Sequence, residues 1–529
     1  MTTDAAISTE SAQTVAGQLH DIQALLRTGF VSHRASCYWL LRVVDVSKAR
    51  AWLQRLLASG LVTSAAQVGA RAARALTAPS EAVALAFSYR GLLAFGAQEH
   101  SHFPFPSAFV SGLGSETRRR LLRDDSREQW RWSDSPQPSR FEAHLLLAHY
   151  WDIASASNDS DAGAALAKLL PSAQPLPSAQ PLPSIQSTPL QTLLPPPDAA
   201  DSGFEVRRID GCPSYLHGDS VTEPFGFADG IGQPLVEGLH QGRIARAQNV
   251  SGDAPLHDRL VAPGEFVLGH RNQYGELAYC PDLIGWQAQP RVAPFGSRFG
   301  LNGSYLAVRQ IEQNVAAFRR LYDVPAAPDI GCPFHDLTLA EKMLGRRKDG
   351  QPLAWLPQQP SDPDAFRYRV NDPYGFQCPR GAHVRRANPR DTLGHDVDSG
   401  IESSKLHRLL RRGRPYRHEN PACLQAGFKN CGDAAHQDNC GAGIMFIACN
   451  ADLDRQYEFV QQRWLGNLKF ADLHDEDDPL VGVASNAFST QGLPLGDRHS
   501  NLEQFTQTIG GGYFFAPSIT ALHFLSKLH

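Results

Sequence analysis

One short segment, residues 378–391, combines a histidine with a concentration of positive charge. His383 follows the two small residues Gly381 and Ala382, so a flat cofactor could approach its imidazole closely. A haem group suits both features, because its iron accepts imidazole and its carboxylates attract guanidinium groups. The alternative interpretation is a basic surface loop with an incidental histidine. The arginines of the segment are Arg380, Arg385, Arg386 and Arg390.

A second candidate is the acidic turn at residues 226–230, which reads Gly-Phe-Ala-Asp-Gly. Its two glycines permit unusual backbone angles and the close approach of a ligand. A carboxylate held there, that of Asp229, could accept a proton. The alternative is an ordinary turn in which the Asp229 side chain caps the backbone.

A third candidate lies where an apolar run meets a basic one, at residues 409–416. Arg411 follows two leucines, so it could project from a buried strand end, and it stays charged at any working pH. The alternative is a solvated basic loop. Together, the three segments supply an imidazole ligand, a proton acceptor and a fixed positive charge, which are the parts that a haem peroxidase needs.

Periodicity predicts the elements that must position these residues. In the first part of the chain it predicts strands at residues 35–44 and 82–88, a helix at 46–59 and an apolar run at 141–150. This order indicates an α+β domain with helices over an antiparallel sheet. Later in the chain the same reasoning predicts strands at residues 264–268, 304–309, 443–449 and 510–515, and helices at 312–322, 452–465 and after Ser518.

Composition divides the chain at two places. Residues 1–20 are expected to be unstructured. Residues 171–200 are rich in Pro, Ser and Gln and contain a direct repeat of Pro-Ser-Ala-Gln-Pro-Leu. Because proline removes hydrogen-bond donors and favours extended backbone, we expect an exposed insertion there.

Bulk properties limit the class of protein. The 529 residues carry a net charge of -4, so neither a nucleic-acid nor a membrane partner is expected. The sequence shows no signal peptide, twin-arginine signal or long apolar run, and the odd number of cysteines, nine, favours a reducing compartment. A cytoplasmic location is therefore expected. The spacing of Cys423, Cys431 and Cys440 is wider than that of usual zinc ligands.

In ordered combination, these segments resemble the dye-decolourising peroxidase family. The resemblance rests on residues 226–230, 378–391, 411–416 and 443–464, and spans the chain from about Asp21 to its end. It implies an α+β fold of two ferredoxin-like domains with antiparallel sheets. The N-terminal domain would span residues 21–225, including the Pro-rich insertion, and the C-terminal domain, residues 226–529, would bind haem.

The resemblance also implies a role for each candidate residue. His383 would be the proximal ligand of the haem iron, and Asp229 the acid–base residue on the opposite face. Arg411 is preferred over Arg412 as the distal arginine, because it precedes the Pro-aromatic pair by four residues. One haem b per chain is expected. The remaining positions are Asn388 and Arg390 at the haem periphery, Ile444 and Phe446 in the distal pocket, and Asp478 as the carboxylate behind His383.

The implied activity is that of a haem peroxidase that reduces hydrogen peroxide and oxidises dyes, phenolics or similar one-electron donors. Two other functions stay open: a haem-binding or haem-handling protein without significant turnover, and a haem-free ferredoxin-like binding module. The Pro-rich insertion departs from the family pattern, so the range of substrates is open. So are the surface Trp or Tyr that would accept electrons and the oligomeric state, for which a homodimer is one candidate.

Overall fold

The computed structural model describes most of the chain, but with gaps. The Pro-rich insertion and the cysteines Cys423, Cys431 and Cys440 lie outside the described residues. So do residues 1–14 of the segment expected to be unstructured. Val15, which also falls in that segment, is fully buried. The described residues are 15–30, 33, 35–68, 81–124, 129–137, 140–151, 203–211, 215–217, 220–251, 256–286, 298–324, 337–354, 362–416, 442–483 and 485–528.

The first half of the chain forms four antiparallel strands. They are β1 (Ala35–Val43), β2 (Glu81–Phe87), β3 (Leu145–Trp151) and β4 (Phe204–Asp210), and they lie in the order β2-β3-β1-β4. Alternate side chains enter different cores: Leu41 packs in one hydrophobic cluster and Leu40 in another. This follows from the two-residue period of a strand. The sheet is therefore covered on both faces.

The second half repeats this topology. Its strands are β5 (Ser304–Gln313), β6 (Leu410–Arg411), β7 (Gly443–Asn450) and β8 (Thr506–Ala516), in the order β6-β7-β5-β8. In both halves the second strand therefore starts a path that runs to the third, the first and the fourth. The halves join where Phe515 of β8 lies opposite Phe87 of β2. Both halves thus show the antiparallel α+β architecture, as predicted.

Three helices attach the C-terminus and carry the candidate histidine: α1 (Val46–Ala58), α2 (His383–Ala387) and α3 (Ile519–Leu525). Helix α1 begins after Asp45, whose carboxylate accepts the N–H of Lys48, and α3 begins in the same way after Ser518. Helix α3 packs on α1, and Gln54 donates to the carbonyl of Ser526 at 2.7 Å. The C-terminus is thereby attached to the first half.

Shorter elements connect these units. The further helices are Tyr89–Ala94, Ser107–Ser111, Glu116–Leu122, Gln241–Ser251, Val315–Arg319, Leu339–Leu344, Tyr368–Asn371 and Val397–Lys405, with π-helical turns at Asp454–Glu458 and Val460–Leu465. Single 3-10 turns lie at Ala24–Leu26, Pro263–Glu265, Arg320–Tyr322 and Phe470–Asp472. The short strands are Trp132–Ser133, Phe141–Glu142, Tyr215–His217, Ser220–Thr222, Leu235–Val236, Leu260–Val261, Arg414–Tyr416, Phe488–Thr490 and Asp497–His499.

Two predicted elements are wrong or misplaced. The strand predicted at 264–268 begins instead as the 3-10 turn Pro263–Glu265, because the proline ring presets the turn angle at its start. The helix predicted at 312–322 is shorter, since β5 continues to Gln313 and the helix starts only after Asn314 caps it. Within the part of the chain that the structure describes, no helix is long and apolar enough to cross a membrane.

Candidate active site

A cavity of about 720 Å³ lies against one face of the second half of the sheet. Strand β5 contributes Arg309, Ile311 and Gln313 to its wall, and β7 contributes Ile444 and Phe446. In each strand these residues alternate, so they share one face of the sheet. The predicted pairing of Ile444 and Phe446 on one face is therefore present. The cavity brings together all three candidate segments, because it is also lined by Asp229, His383, Asn388, Arg390 and Arg411.

His383 is the first residue of α2, and a carboxylate fixes its ring. Its Nδ1 lies 3.0 Å from Oδ2 of Asp478, whose side chain has no exposed surface. Burial alone would favour the neutral acid, but His383 and the main-chain N–H of Val481 stabilise the charge and lower the pKa of Asp478. Because an ionised carboxylate only accepts, Nδ1 carries the hydrogen, and Nε2 is left as the ring atom with a free lone pair.

The arginines beside His383 correct one interpretation. Arg385 and Arg386 are buried, so they do not form a solvated basic loop. Arg385 bonds the carboxylate of Asp372 at 3.1 Å, and Arg386 donates to three main-chain carbonyls of the segment 464–476. Their guanidinium groups thus anchor α2 to its surroundings. Arg380 alone of the three pairs with an exposed carboxylate, that of Asp472.

The turn that carries Asp229 requires its glycines. Gly226 and Gly230 have φ angles of 95° and 79°, which side chains rarely adopt. The N–H of Gly230 donates to Asp229 Oδ1 at 2.6 Å, so the cap expected of an ordinary turn is present. The same partly exposed carboxylate lines the cavity. Both interpretations of Asp229 therefore describe one residue.

A second carboxyl group near this turn was not predicted. Glu223 lines the cavity and accepts hydrogen bonds from the N–H groups of Phe225 and Phe227 and from Gln313. Burial raises the pKa of Glu223 to about 7, and the charge of Asp229 acts in the same direction. The sequence offers little signal for Glu223, because its main contact outside the turn is with a strand 90 residues away.

Neighbouring arginines separate clearly at the end of β6. Arg411 lines the cavity, and its Nη2 donates to the carbonyl of Ile231 at 2.5 Å, in the loop that follows Asp229. The guanidinium of Arg412 instead donates to the carbonyls of Leu25 and Leu26. Arg412 therefore holds the N-terminal segment, and Arg411 is the arginine that faces the Asp229 loop.

A cluster of arginines surrounds Asp364, which was also not predicted. Its carboxylate lies 3.0 Å from Arg346, 3.4 Å from Arg390 and 3.5 Å from Arg259. Burial opposes ionisation of Asp364, but the arginines outweigh it and hold its pKa well below the usual range. Arg408 lies in the same region, and burial beside other arginines lowers its pKa to about 9. Cations thus exceed carboxylates at this end of the cavity.

Asn388 and Arg390 both line the cavity, with different surroundings. Asn388 Oδ1 is buried and has no hydrogen-bond partner among the described residues. Arg390 donates to the carbonyl of Asp364 at 2.9 Å, so part of its guanidinium is already occupied. Both residues predicted for the haem periphery therefore lie at the cavity.

These features fit a haem group. Nε2 of His383 is available as a ligand, the wall formed by Ile444 and Phe446 is apolar, and the excess of arginines suits two carboxylates. The buried, unpartnered oxygen of Asn388 also indicates that a group belongs beside it. The described residues contain no other cluster of His, Cys, Asp and Glu that could hold a metal ion.

Comparison with curated proteins finds relatives of one kind. The dye-decolorizing peroxidase msp1 of Mycetinis scorodonius is 27% identical over 340 residues, 60% of this chain and 59% of its own. The multifunctional dye peroxidase DyP2 of an Amycolatopsis species is 34% identical over 242 residues, 42% of this chain and 49% of its own. The chain thus spans about half the length of the curated relatives it matches. No protein-family model matches it.

Solved structures show the same likeness over nearly the whole chain. A dye-decolorizing peroxidase in complex with 2,6-dimethoxyphenol superposes with a TM-score of 0.64 and 22% identity, covering 96% of this chain and 99% of that one. The DyP-type peroxidase of an Anabaena species gives a TM-score of 0.66 with 21% identity, covering 96% and 95%. At such identities the likeness shows the fold. The chain is therefore related in sequence to the dye-decolourising peroxidases and shares their fold.

Proposed function

We propose that this protein is a haem peroxidase that reduces hydrogen peroxide and oxidises dyes, phenolics or similar one-electron donors. One observation carries the proposal: a single cavity holds His383 backed by Asp478, the carboxylate of Asp229 and the guanidinium of Arg411. The names of the relatives support it, and a related structure that contains 2,6-dimethoxyphenol supports phenolic donors.

In this proposal, the cofactor is one haem b per chain. When bound, haem supplies an iron that can take peroxide and pass two oxidising equivalents to donors. His383 would hold the iron through Nε2, since Nδ1 is engaged by Asp478. Asn388 and Arg390 would contact the haem periphery. Ile444 and Phe446 would keep the opposite face apolar and limit the entry of water.

Two side chains would act on the peroxide. The carboxylate of Asp229 would accept a proton from the near oxygen and return it to the far oxygen, so that water can leave. Arg411 would stabilise the negative charge that develops as the O–O bond breaks. Its hydrogen bond to the carbonyl of Ile231 orients the guanidinium beside the Asp229 loop. The two groups are thereby positioned together.

The proposed location is the cytoplasm, where donors would be small soluble reductants. Support comes from the cysteines: the four that the structure describes, Cys37, Cys280, Cys378 and Cys449, are unpaired and buried.

The test is the ultraviolet-visible spectrum of the haem-loaded protein before and after one equivalent of peroxide. We expect a Soret band that changes with peroxide and returns when a phenol is added. A stable Soret band without any response would indicate a haem-binding protein without turnover. Absence of the band would leave a haem-free binding module.

The ligand assignment has a separate test. The substitution His383→Ala should abolish stable haem binding, whereas His523→Ala, at an exposed position of α3, should bind like the wild type. Wild-type haem occupancy in the His383 variant would refute the assignment.

A further inference from the structure

Peroxide reduction has a proton requirement that one carboxyl group does not meet. Converting hydrogen peroxide to two waters consumes two electrons and two protons. A donor too large for the cavity can deliver electrons from outside, but the protons must then come from groups that line the cavity. Asp229 returns to peroxide only the proton that it removed, so a further proton-holding group is needed. This need rests on the proposed function.

Glu223 is placed to be that group. It lines the cavity, and the turn folds back on it: its N–H donates to the carbonyl of Phe227 at 3.0 Å, and Gly226 donates to its carbonyl at 2.8 Å. Its side chain is then fixed by three donors. The N–H of Phe225 and the amide of Gln313 reach Oε2 at 2.9 Å and 2.8 Å, and the N–H of Phe227 reaches Oε1 at 3.0 Å.

This uneven set of donors identifies where a proton would sit. Oε2 accepts two hydrogen bonds and is saturated, whereas Oε1 accepts one and keeps a free lone pair. A proton on Glu223 therefore belongs on Oε1. The three donors also make the carboxyl group rigid, and with it the turn that carries Asp229.

The charged and titratable groups around Glu223 favour the protonated form near neutral pH. Asp229 acts on it from its own loop, and β5 presents only the uncharged amide of Gln313. From the following helical turn, Tyr322 donates to the carbonyl of Phe225, and burial, followed by the charge of Glu223, raises the pKa of Tyr322. Arg319 and Glu341 act on that phenol with opposite signs, and Lys348 lies over its ring.

We propose that Glu223 is the second proton-holding carboxyl group of the cavity and a positioning residue for Asp229. In each turnover, Oε1 of Glu223 releases a proton toward the oxygen atom that becomes the second water. The O–H bond of the carboxyl group breaks, an O–H bond of water forms, and the electrons come from the organic donor. Glu223 is then reprotonated from solvent through the open side of the cavity.

Infrared spectroscopy tests the proton on Glu223 without any turnover. In the haem-loaded protein, the C=O band of a neutral carboxylic acid should disappear as the pH rises through about 7. Glu223→Gln should lack this band. The matched control is Glu265→Gln, which removes a buried carboxyl group outside the cavity whose pKa is also raised by burial. If the band that titrates near neutrality remains in Glu223→Gln and vanishes in the control, the proposal is overturned.

The pH profile of peroxide reduction tests delivery of the proton. Above the titration of Glu223, the wild-type rate should fall about tenfold per pH unit, because only the protonated form delivers. Glu223→Gln should be slow and independent of pH in that range. Glu223→Asp keeps a carboxyl group and should keep a falling limb at a shifted pH, which also decides the question if the Gln variant does not fold. A wild-type limb in Glu223→Gln, or none in Glu223→Asp, would overturn the proposal.

The two tests fail differently. If the wild type does not react with peroxide, the proposed function fails, whatever the infrared titration shows. If the wild type reacts and the infrared band belongs to another residue, the proposed function stands and Glu223 is only a structural residue of the turn.

Discussion

Nδ1 of His383 lies 3.0 Å from Oδ2 of Asp478, although the two residues are 95 positions apart in the chain. Asp478 is also held by the N–H groups of Leu480 and Val481 at 2.9 Å and 3.0 Å. The carboxylate is therefore both immobile and ionised. It fixes the imidazole tautomer and increases the electron density on Nε2, the atom that faces a ligand.

Replacing this carboxylate should weaken the ligand. Asp478→Asn can still accept a hydrogen bond, but it removes the negative charge that makes the imidazole a strong donor. We expect haem affinity to fall by roughly 10- to 100-fold, as measured by competition with a haem-binding protein. The iron–histidine stretching frequency in the resonance Raman spectrum should also fall. Asp477→Asn is the control, because the carboxylate of Asp477 bonds the N–H of Ser485. Equal effects of both variants would contradict the assignment.

The adjacent residues Arg411 and Arg412 should have separable roles. Arg411→Lys should slow the reaction with peroxide by about 100-fold or more, as loss of a charge-stabilising donor does, with little change in stability. Stopped-flow absorbance measures the first quantity and thermal unfolding the second.

Arg412→Lys should show the opposite pattern. The carbonyls of Leu25 and Leu26 lose their guanidinium partner, and the free energy of unfolding should fall by about 1–3 kcal/mol, with the peroxide rate close to that of the wild type. A peroxide rate reduced more by the Arg412 variant than by the Arg411 variant would exclude the assignment of Arg411.

Asp364 should stabilise the protein in a pH-dependent way. Its pKa is held below that of an unfolded aspartate, about 3.9, so its contribution is complete above that pH and is lost as the pH falls toward the folded value. Asp364→Asn leaves buried arginines such as Arg346 and Arg390 without this charge, and should cost about 3–5 kcal/mol at pH 7. Denaturant unfolding should show the difference from the wild type shrinking in acid. Asp349→Asn, at an exposed position, should change stability little at any pH. A difference that grows in acid would contradict the prediction.

Gly345 should control the position of α2. Its φ of 93° is a conformation that favours glycine, and an added Cβ would lie 2.5 Å from Val384 and 3.1 Å from Ala382. Gly345→Ala should therefore both strain the backbone and displace His383, which would lower haem affinity. Gly275→Ala is the matched control, because its φ of 75° brings similar strain while nothing lies within 4 Å of the added atom. Both variants should lose about 1–2 kcal/mol of stability from strain, and only the first should lose haem affinity. Normal haem binding by Gly345→Ala would refute the prediction.

Local pattern predicted the elements well where one periodicity dominated. The strand at residues 35–44 is Ala35–Val43, and the helix at 46–59 is Val46–Ala58, since alternation, helical spacing and the Asp45 cap all agree. The strand predicted at 264–268 failed, because an apolar run of five residues does not by itself distinguish a strand from a turn that begins at Pro263.

The sequence by itself determined which residues are equipped for the chemistry: His383 after two small residues, Asp229 between glycines, and Arg411 after two leucines. Their order along the chain was enough to indicate one family. Those properties are local, since they depend on residue type and on near neighbours.

Only the tertiary structure decided which groups complete the site. It brought Asp478 behind His383, turned Arg412 away to the carbonyls of Leu25 and Leu26, and buried Arg385 and Arg386 that the sequence left as a basic loop. It also placed Glu223 against a strand 90 residues away. The physical reason is that hydrogen bonds and pKa values depend on burial and on partners far apart in the chain, which the covering of both sheet faces creates only once the chain has folded.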